Sequence, residues 1–273
     1  MTRSVALALL LAAPVALPAL NTGSAGSYGV SGFFLTPVAE SLPKNGINIQ
    51  AVFMQEPESN IQLLGEPLPR EGEDLLGGAV AFGMGGGWEA GWAMWQIGSL
   101  DLHHLGVKYH FARHEDGNWG DWAVGGAMSI TSAVGPQESE FVGYTVGSFP
   151  FSRGDASIGA GYVRDERGDV DLAVFGNISW WLSERVRVWY EGTTASMIHG
   201  DVAHGGGLAW QASATDPIWV WAGATQLADY GVDGPNRSDE WMVTAGIAIA
   251  INSHFTYEEP SEDAEIFETF GRP

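Results

Sequence analysis

The chain contains no cysteine. Disulfides, thiolate metal sites and cysteine nucleophiles are therefore excluded. Cations are scarce: 12 Lys and Arg stand against 33 Asp and Glu, for a net charge of −21. A nucleic-acid binder needs a basic face to displace counterions, so that class is excluded as well. The acidity reads either as plain solubilisation or as acidic outer loops and tail that divalent cations bridge to lipopolysaccharide. Beyond the N-terminus no stretch reaches about 18 unbroken apolar residues, the signature of a membrane-crossing helix.

Glycine and tryptophan are what the chain has instead, at 38 and 12 residues. They fall in short, evenly spaced, alternating segments, which suits a closed all-β sheet. At the N-terminus, Arg3 precedes an apolar run, Val5–Ala19, broken by Pro14 and Pro18. This reads as a secretory signal with cleavage after Ala19 or Ala25, and the absence of cysteine leaves no lipoprotein anchor. An exported chain that crosses a bilayer without helices must close a barrel, because unpaired backbone edges are too costly in lipid.

From Ile47 onward the alternation is sustained. Leu102–Arg113 is clean: His103, Leu105, Val107, Tyr109 and Phe111 share one face, and His104, Gly106, Lys108, His110 and Ala112 share the other. A soluble sandwich would bury the apolar face, whereas a membrane barrel turns it to lipid. Segments near ten residues and the signal favour the barrel, since globular strands are usually about 5–6 residues. The same rule assigns Trp122, Val124, Met128 and Ile130 outward. It also assigns Val142, Tyr144 and Val146 outward, with Gly143, Thr145 and Gly147 inward. Trp88, Trp119, Trp122, Trp180, Trp241, Tyr109 and Tyr190 suit interfacial girdles.

The expectation is an antiparallel transmembrane β-barrel of about twelve strands, 47–255, in the outer membrane of a Gram-negative bacterium. It follows a signal peptide, 1–25, and a short plug or lead-in segment, 26–46, and precedes an acidic tail, 256–273. Long connections (Glu56–Asp74, Ser196–Gly205, Ala228–Glu240) alternate with short ones (Gly85–Gly87, Leu182–Glu184, Ser213–Pro217), as outer loops alternate with periplasmic turns. Trp241–Asn252 is the last strand and must pair with Ile47–Gln55 if the sheet closes. Its Thr244-x-Gly246-x-x-Ile249-x-Ile251 resembles the signal that barrel-assembly machinery reads, with Ile251 where an aromatic is usual.

The lead-in segment carries a resemblance of its own. Gly29-x-x-Gly32, Phe33-Phe34-Leu35, Thr36-Pro37-x-Ala39-Glu40 and a following Gly46 resemble the opening of the YjbH-like family of outer-membrane barrel proteins, linked to exopolysaccharide production. The resemblance implies a barrel concerned with exopolysaccharide export or assembly, with polysaccharide as a partner beside membrane lipid and lipopolysaccharide.

Function is sought on the inward face: Asn48, Gln50, Glu89, His104, Lys108, His110, Asp171, Asn177, Arg185, Arg187, Glu191 and Gln211. These residues either pair into a filled, sealed lumen or line a polar path for solute. Inward Gly106, Gly125, Gly143, Gly159, Gly161 and Gly246 leave room for aromatics or for water. A barrel enzyme would draw on His104, Lys108 and His110 with Ser129, Ser157 or Glu89, but no nucleophile elbow occurs: Gly29-Val30-Ser31-Gly32-Phe33 lacks its second glycine. His103 and His104 face opposite ways and cannot share a metal. His199, Asp201 and His204 share one expected outer loop, and Asp229, Asp233, Asn236, Asp239 and Glu240 lack calcium-loop spacing. The reading is a non-enzymatic pore, transport or envelope-assembly barrel without cofactor or metal. A sealed structural or adhesive barrel, or an enzyme acting on envelope lipid, are the other readings.

Overall fold

A computed structural model describes residues 30, 32, 35–55, 59–63, 66–70, 74–97, 100–114, 119–131, 139–151, 153–164, 170–194, 202–211, 218–227 and 241–251. The expected signal peptide and acidic tail lie outside the described residues, as do His199, Asp201 and the acidic residues 229–240.

The strands are β1 (Ile47–Gln55), β2 (Ser59–Leu63), β3 (Glu66–Arg70), β4 (Asp74–Gly85), β5 (Trp88–Ile97), β6 (Leu100–Ala112) and β7 (Asp121–Thr131). They continue as β8 (Ser139–Phe151), β9 (Gly154–Arg164), β10 (Val170–Ser183), β11 (Val186–Thr193), β12 (Ala203–Gln211), β13 (Ile218–Leu227) and β14 (Trp241–Ile251). All except β2 and β3 join one closed antiparallel barrel of twelve strands. Closure is at the expected place: β1 pairs with β14 from Ile47↔Ile251 to Gln55↔Val243, and with β4 on its other side. No edge is left to lipid.

Side-chain alternation in β1 decides its orientation. Asn48, Gln50, Val52 and Met54 are buried while Ile49 and Phe53 are exposed. Phe82, Leu105, Val107, Val124, Ile178, Val220 and Ile247 continue the exposed apolar set round the outer wall. A closed barrel with apolar side chains outward and polar ones inward has bilayer, not water, as its surroundings. The protein is a barrel of the Gram-negative outer membrane. Ile247 lies midway along β14 with its side chain outward. Ile247→Arg is expected to lower folding stability in liposomes by about 2–4 kcal/mol, read from denaturant unfolding.

Four sequence expectations are corrected, one of them at His204, which lies in β12. The first outer connection, read as a polar loop, carries an antiparallel hairpin formed by β2 and β3. In β8 the facing is reversed: Val142, Tyr144 and Val146 are buried, whereas Phe141 and Thr145 are exposed. The register explains it, because Val142, Tyr144 and Val146 stand opposite Ala127, Gly125 and Ala123, which all point inward. Gly143 is consequently on the outer wall, with Tyr162 folded over it. The last correction is Arg185, which lies exposed in the turn between β10 and β11 rather than on the lumen wall.

Several inward glycines are covered by rings. Trp95 lies over Gly77, Tyr144 over Gly125, Phe175 over Gly159 and Trp221 over Gly246. A Cβ at any of these positions would collide with the ring, so glycine is what lets large aromatics lie flat on the wall.

Candidate functional site

The lumen is filled by the chain's own N-terminal segment. Residues 35–40 and Leu42 are buried, and the segment is anchored by side chains from five strands. On β11, one carboxylate oxygen of Glu191 accepts the Leu35 and Thr36 amides at 2.7 and 3.0 Å and the Thr36 hydroxyl at 3.1 Å. Asn177 on β10 donates to that hydroxyl at 2.9 Å. On β8, Ser148 Oγ accepts the Ala39 amide at 2.9 Å and shares a hydrogen bond with Ser157. Lys108 on β6 donates to the Glu40 and Val38 carbonyls at 2.6 and 3.1 Å. Glu89 on β5 accepts the Leu42 amide at 2.8 Å. Backbone donors and acceptors that no sheet provides for are thus met by lumen side chains.

Apolar contacts follow the same track. Val30 and Ala39 join Ala123, Ala127, Val142, Tyr144, Val146, Ala173 and Phe175. Leu35 sits among Val52, Met54, Trp95, Leu102 and Trp221. This explains why β8 turns Val and Tyr inward: a filled lumen offers apolar surface that an aqueous one would not. The segment leaves through a turn pinned to β4, with Asn45 donating to the Gly83 carbonyl and Gly83 donating to that of Gly46. Asn45 holds φ 66°, a left-handed conformation that asparagine tolerates. A Cβ on Gly83 would strike the Leu42 and Pro43 carbonyls, so glycine is required for this close approach.

Electrostatically the wall is self-compensated. Lys108 and Glu89 are cross-strand partners, both fully buried, with nitrogen and oxygen 3.6 Å apart. Arg187 pairs with Asp155 and donates to Ser179. His110 Nε2 lies 2.9 Å from Asp121 Oδ1. Glu40, on the segment rather than on a spanning strand, has its carboxyl raised to about 8 by burial. The Asp121 and Asp155 carboxylates push it the same way, and Lys108 opposes them.

Of the residues singled out in the sequence, Asn48, Gln50, Glu89, His104, Lys108, His110, Asn177, Arg187, Glu191 and Gln211 are buried on the inner wall. Asp171 lies in β10, but its side chain is outside the described residues. Glu89, Lys108, Asn177 and Glu191 converge on the N-terminal segment, whereas Arg187 serves Asp155 instead. His104 and Ser129 are opposed across β6 and β7, but both are sealed, and Ser129 Oγ makes no hydrogen bond among the described residues. That geometry activates no nucleophile. His204, expected in an outer loop, lies in β12. Its Nδ1 is 3.0 Å from the Tyr190 hydroxyl, and its ring is edge-on to Trp241, within the aromatic girdle. Among the described residues no group of three or more His, Cys, Asp or Glu converges on a metal position.

No family model matches the sequence, and no curated protein does. Solved structures do match. The KdgM porin superposes with a TM-score of 0.50 at 10% identity, over 74% of this chain and 99% of the porin. It has also been solved in complex with disordered oligogalacturonate. The NanC porin gives 0.51 at 14% identity, over 75% of this chain and all of the porin, 100%. At such identities the likeness is one of fold: a closed antiparallel barrel.

Sequence reasoning missed the inward aromatic track. Trp181 meets Trp219 with centroids 5.4 Å apart, and Trp189 meets Trp221 at 5.7 Å. Trp219 and Trp221 are two residues apart and so share a face, which was the available signal. Trp181 also lines a pocket of about 540 Å³ at the rim beside the β10–β11 turn, with Arg153, Ser183, Glu184 and Arg185.

Proposed function

We propose that the protein is an outer-membrane channel serving polysaccharide export, closed at rest by its N-terminal segment. The observation that carries this reading is the anchoring of that segment. Glu89, Lys108, Asn177 and Glu191 hold a stretch of chain outside the sheet, which can withdraw as a unit and leave a polar wall behind. The docking residues Leu35–Glu40 belong to the same stretch that resembles the YjbH-like opening, and that resemblance supplies exopolysaccharide as the cargo. A porin of the same fold captured with an oligosaccharide supports carbohydrate as the cargo class.

Planar-bilayer recording tests the proposal. At about pH 5, where Glu40 is protonated in the docked state, the unaltered chain is expected to show rare, small openings. Ser148→Ala combined with Glu191→Ala removes the anchors of Ala39 and of Leu35 and Thr36 and is expected to give sustained conductance steps. The dense packing round Lys108, His104 and Trp95, all at most 1% exposed, favours a second reading: a permanently sealed structural barrel. Silence from the double variant, with the barrel intact by heat-modifiable gel migration, would select that second reading and sink the channel.

A further inference from the structure

Four buried polar atoms at one end of the lumen make no hydrogen bond among the described residues. They are Asn48 Oδ1 and Nδ2, Gln50 Oε1 and Trp219 Nε1. Their residues are at most 6% exposed. Buried polar groups are almost always met, because an unmet one bears its full desolvation cost. Several together on one wall mark a place suited to hydroxyl-bearing partners.

The register brings them side by side. Gln50 stands opposite Ala248, and Ala248 stands opposite Trp219 on the next strand. Asn48 is two residues from Gln50 on the same face, opposite Ala250 and Ala81. The small residues round the amides leave them unshielded by neighbouring side chains, and the N-terminal segment covers this wall through Leu42. Trp219 touches Trp181, and Trp181 lines the 540 Å³ rim pocket, so two indoles connect the amides to that rim.

A carboxamide presents a donor and an acceptor in one plane, matching a pair of adjacent hydroxyls. An indole offers an apolar face for the C–H side of a sugar ring and an N–H for a hydroxyl. None of these groups is charged. The nearby lumen cations are committed, Lys108 to Glu89 and the segment carbonyls, Arg187 to Asp155. An acidic sugar would therefore find no free counter-charge beside the amides themselves, Arg153 and Arg185 lying at the rim pocket. We infer that Asn48, Gln50 and Trp219 form a subsite for a neutral saccharide, uncovered when the N-terminal segment withdraws. The inference rests on the channel reading for access to the site, and on the unmet polar atoms for its chemistry.

The test is isothermal titration of the full chain in detergent, carrying Ser148→Ala and Glu191→Ala, which loosen the segment and leave Lys108 paired with Glu89. The probes are maltoheptaose and a neutralised oligogalacturonate of equal length. Maltoheptaose is expected to bind, and Trp219→Leu and Gln50→Leu are each expected to weaken it about tenfold. Gln50→Leu is also expected to leave the melting temperature unchanged or raised, where a structural role would lower it. If the double variant does not assemble, Gly83→Ala provides a second way to unseat the segment. Absence of maltoheptaose binding in an assembled, loosened protein overturns the subsite, whether or not that protein conducts. Binding without conductance keeps the subsite and removes the channel. Preference for the acidic probe, or indifference to Gln50→Leu, overturns the assignment.

Discussion

Lys108→Met is expected to destabilise the barrel by about 3–5 kcal/mol, the usual cost of stranding one member of a buried ion pair. The substitution removes the ammonium that faces Glu89 at 3.6 Å and strips the Glu40 and Val38 carbonyls of their donor. The Glu89 carboxylate would then be left fully buried with the Leu42 amide still donating to it. Adding Glu89→Gln to Lys108→Met removes the stranded charge and is expected to restore most of the loss. Denaturant unfolding followed by tryptophan fluorescence separates the two variants. Equal stability of the single and double variants would mean that the pair is not desolvated as the geometry requires.

The second large effect is on pH. The Glu40 carboxyl is raised to about 8 when the segment is docked, against 4.5 for the free group. Docking therefore favours the protonated form. A raised value contributes stability that is complete below about 4.5 and is lost as pH climbs through 8. The groups that set this response are Lys108 on β6, Asp121 on β7 with His110 beside it, Asp155 on β9 and Arg187 on β11. Open probability in planar bilayers is expected to rise steeply between about pH 5 and pH 8. Glu40→Gln, which cannot ionise, is expected to hold the channel shut across that range. A wild-type profile that is flat, or that falls with rising pH, would contradict the docked geometry of Glu40.

How far the residues disclose themselves differs between the wall and its contents. In β1, β6 and β14 one face is apolar and the other small or polar, so both the strand and its orientation follow from alternation, as does the seam. In β8 the alternation is equally regular, but it sets Val and Tyr against Gly and Thr. Period two separates the faces without saying which one is outside. The answer depends on Val30 and Ala39 filling the lumen, and those residues lie more than a hundred positions away from Val142 and Tyr144. Arg185 was misplaced by a single residue at a strand boundary, which is enough to move a side chain from wall to turn. The lumen side chains were legible as a set because they are polar on an inward face. Their partner was not, because residues 35–46 have no period and dock through their backbone.

That docking has a consequence for how the molecule is made. Glu191 holds Leu35 across 156 positions of sequence, and Asn177 holds Thr36 across 141. The first residues of the described chain therefore wait for strands synthesised far later, and contacts of such long range form slowly. β1 must meanwhile remain free to meet β14 at the seam. Segment and seam are joined by one short tether at Asn45 and Gly46, bound to Gly83. The lumen filling is best placed after circularisation, as the terminal kinetic phase of biogenesis. A barrel caught before that phase would be fully hydrogen-bonded in its wall, resistant to heat on a gel, and permeable.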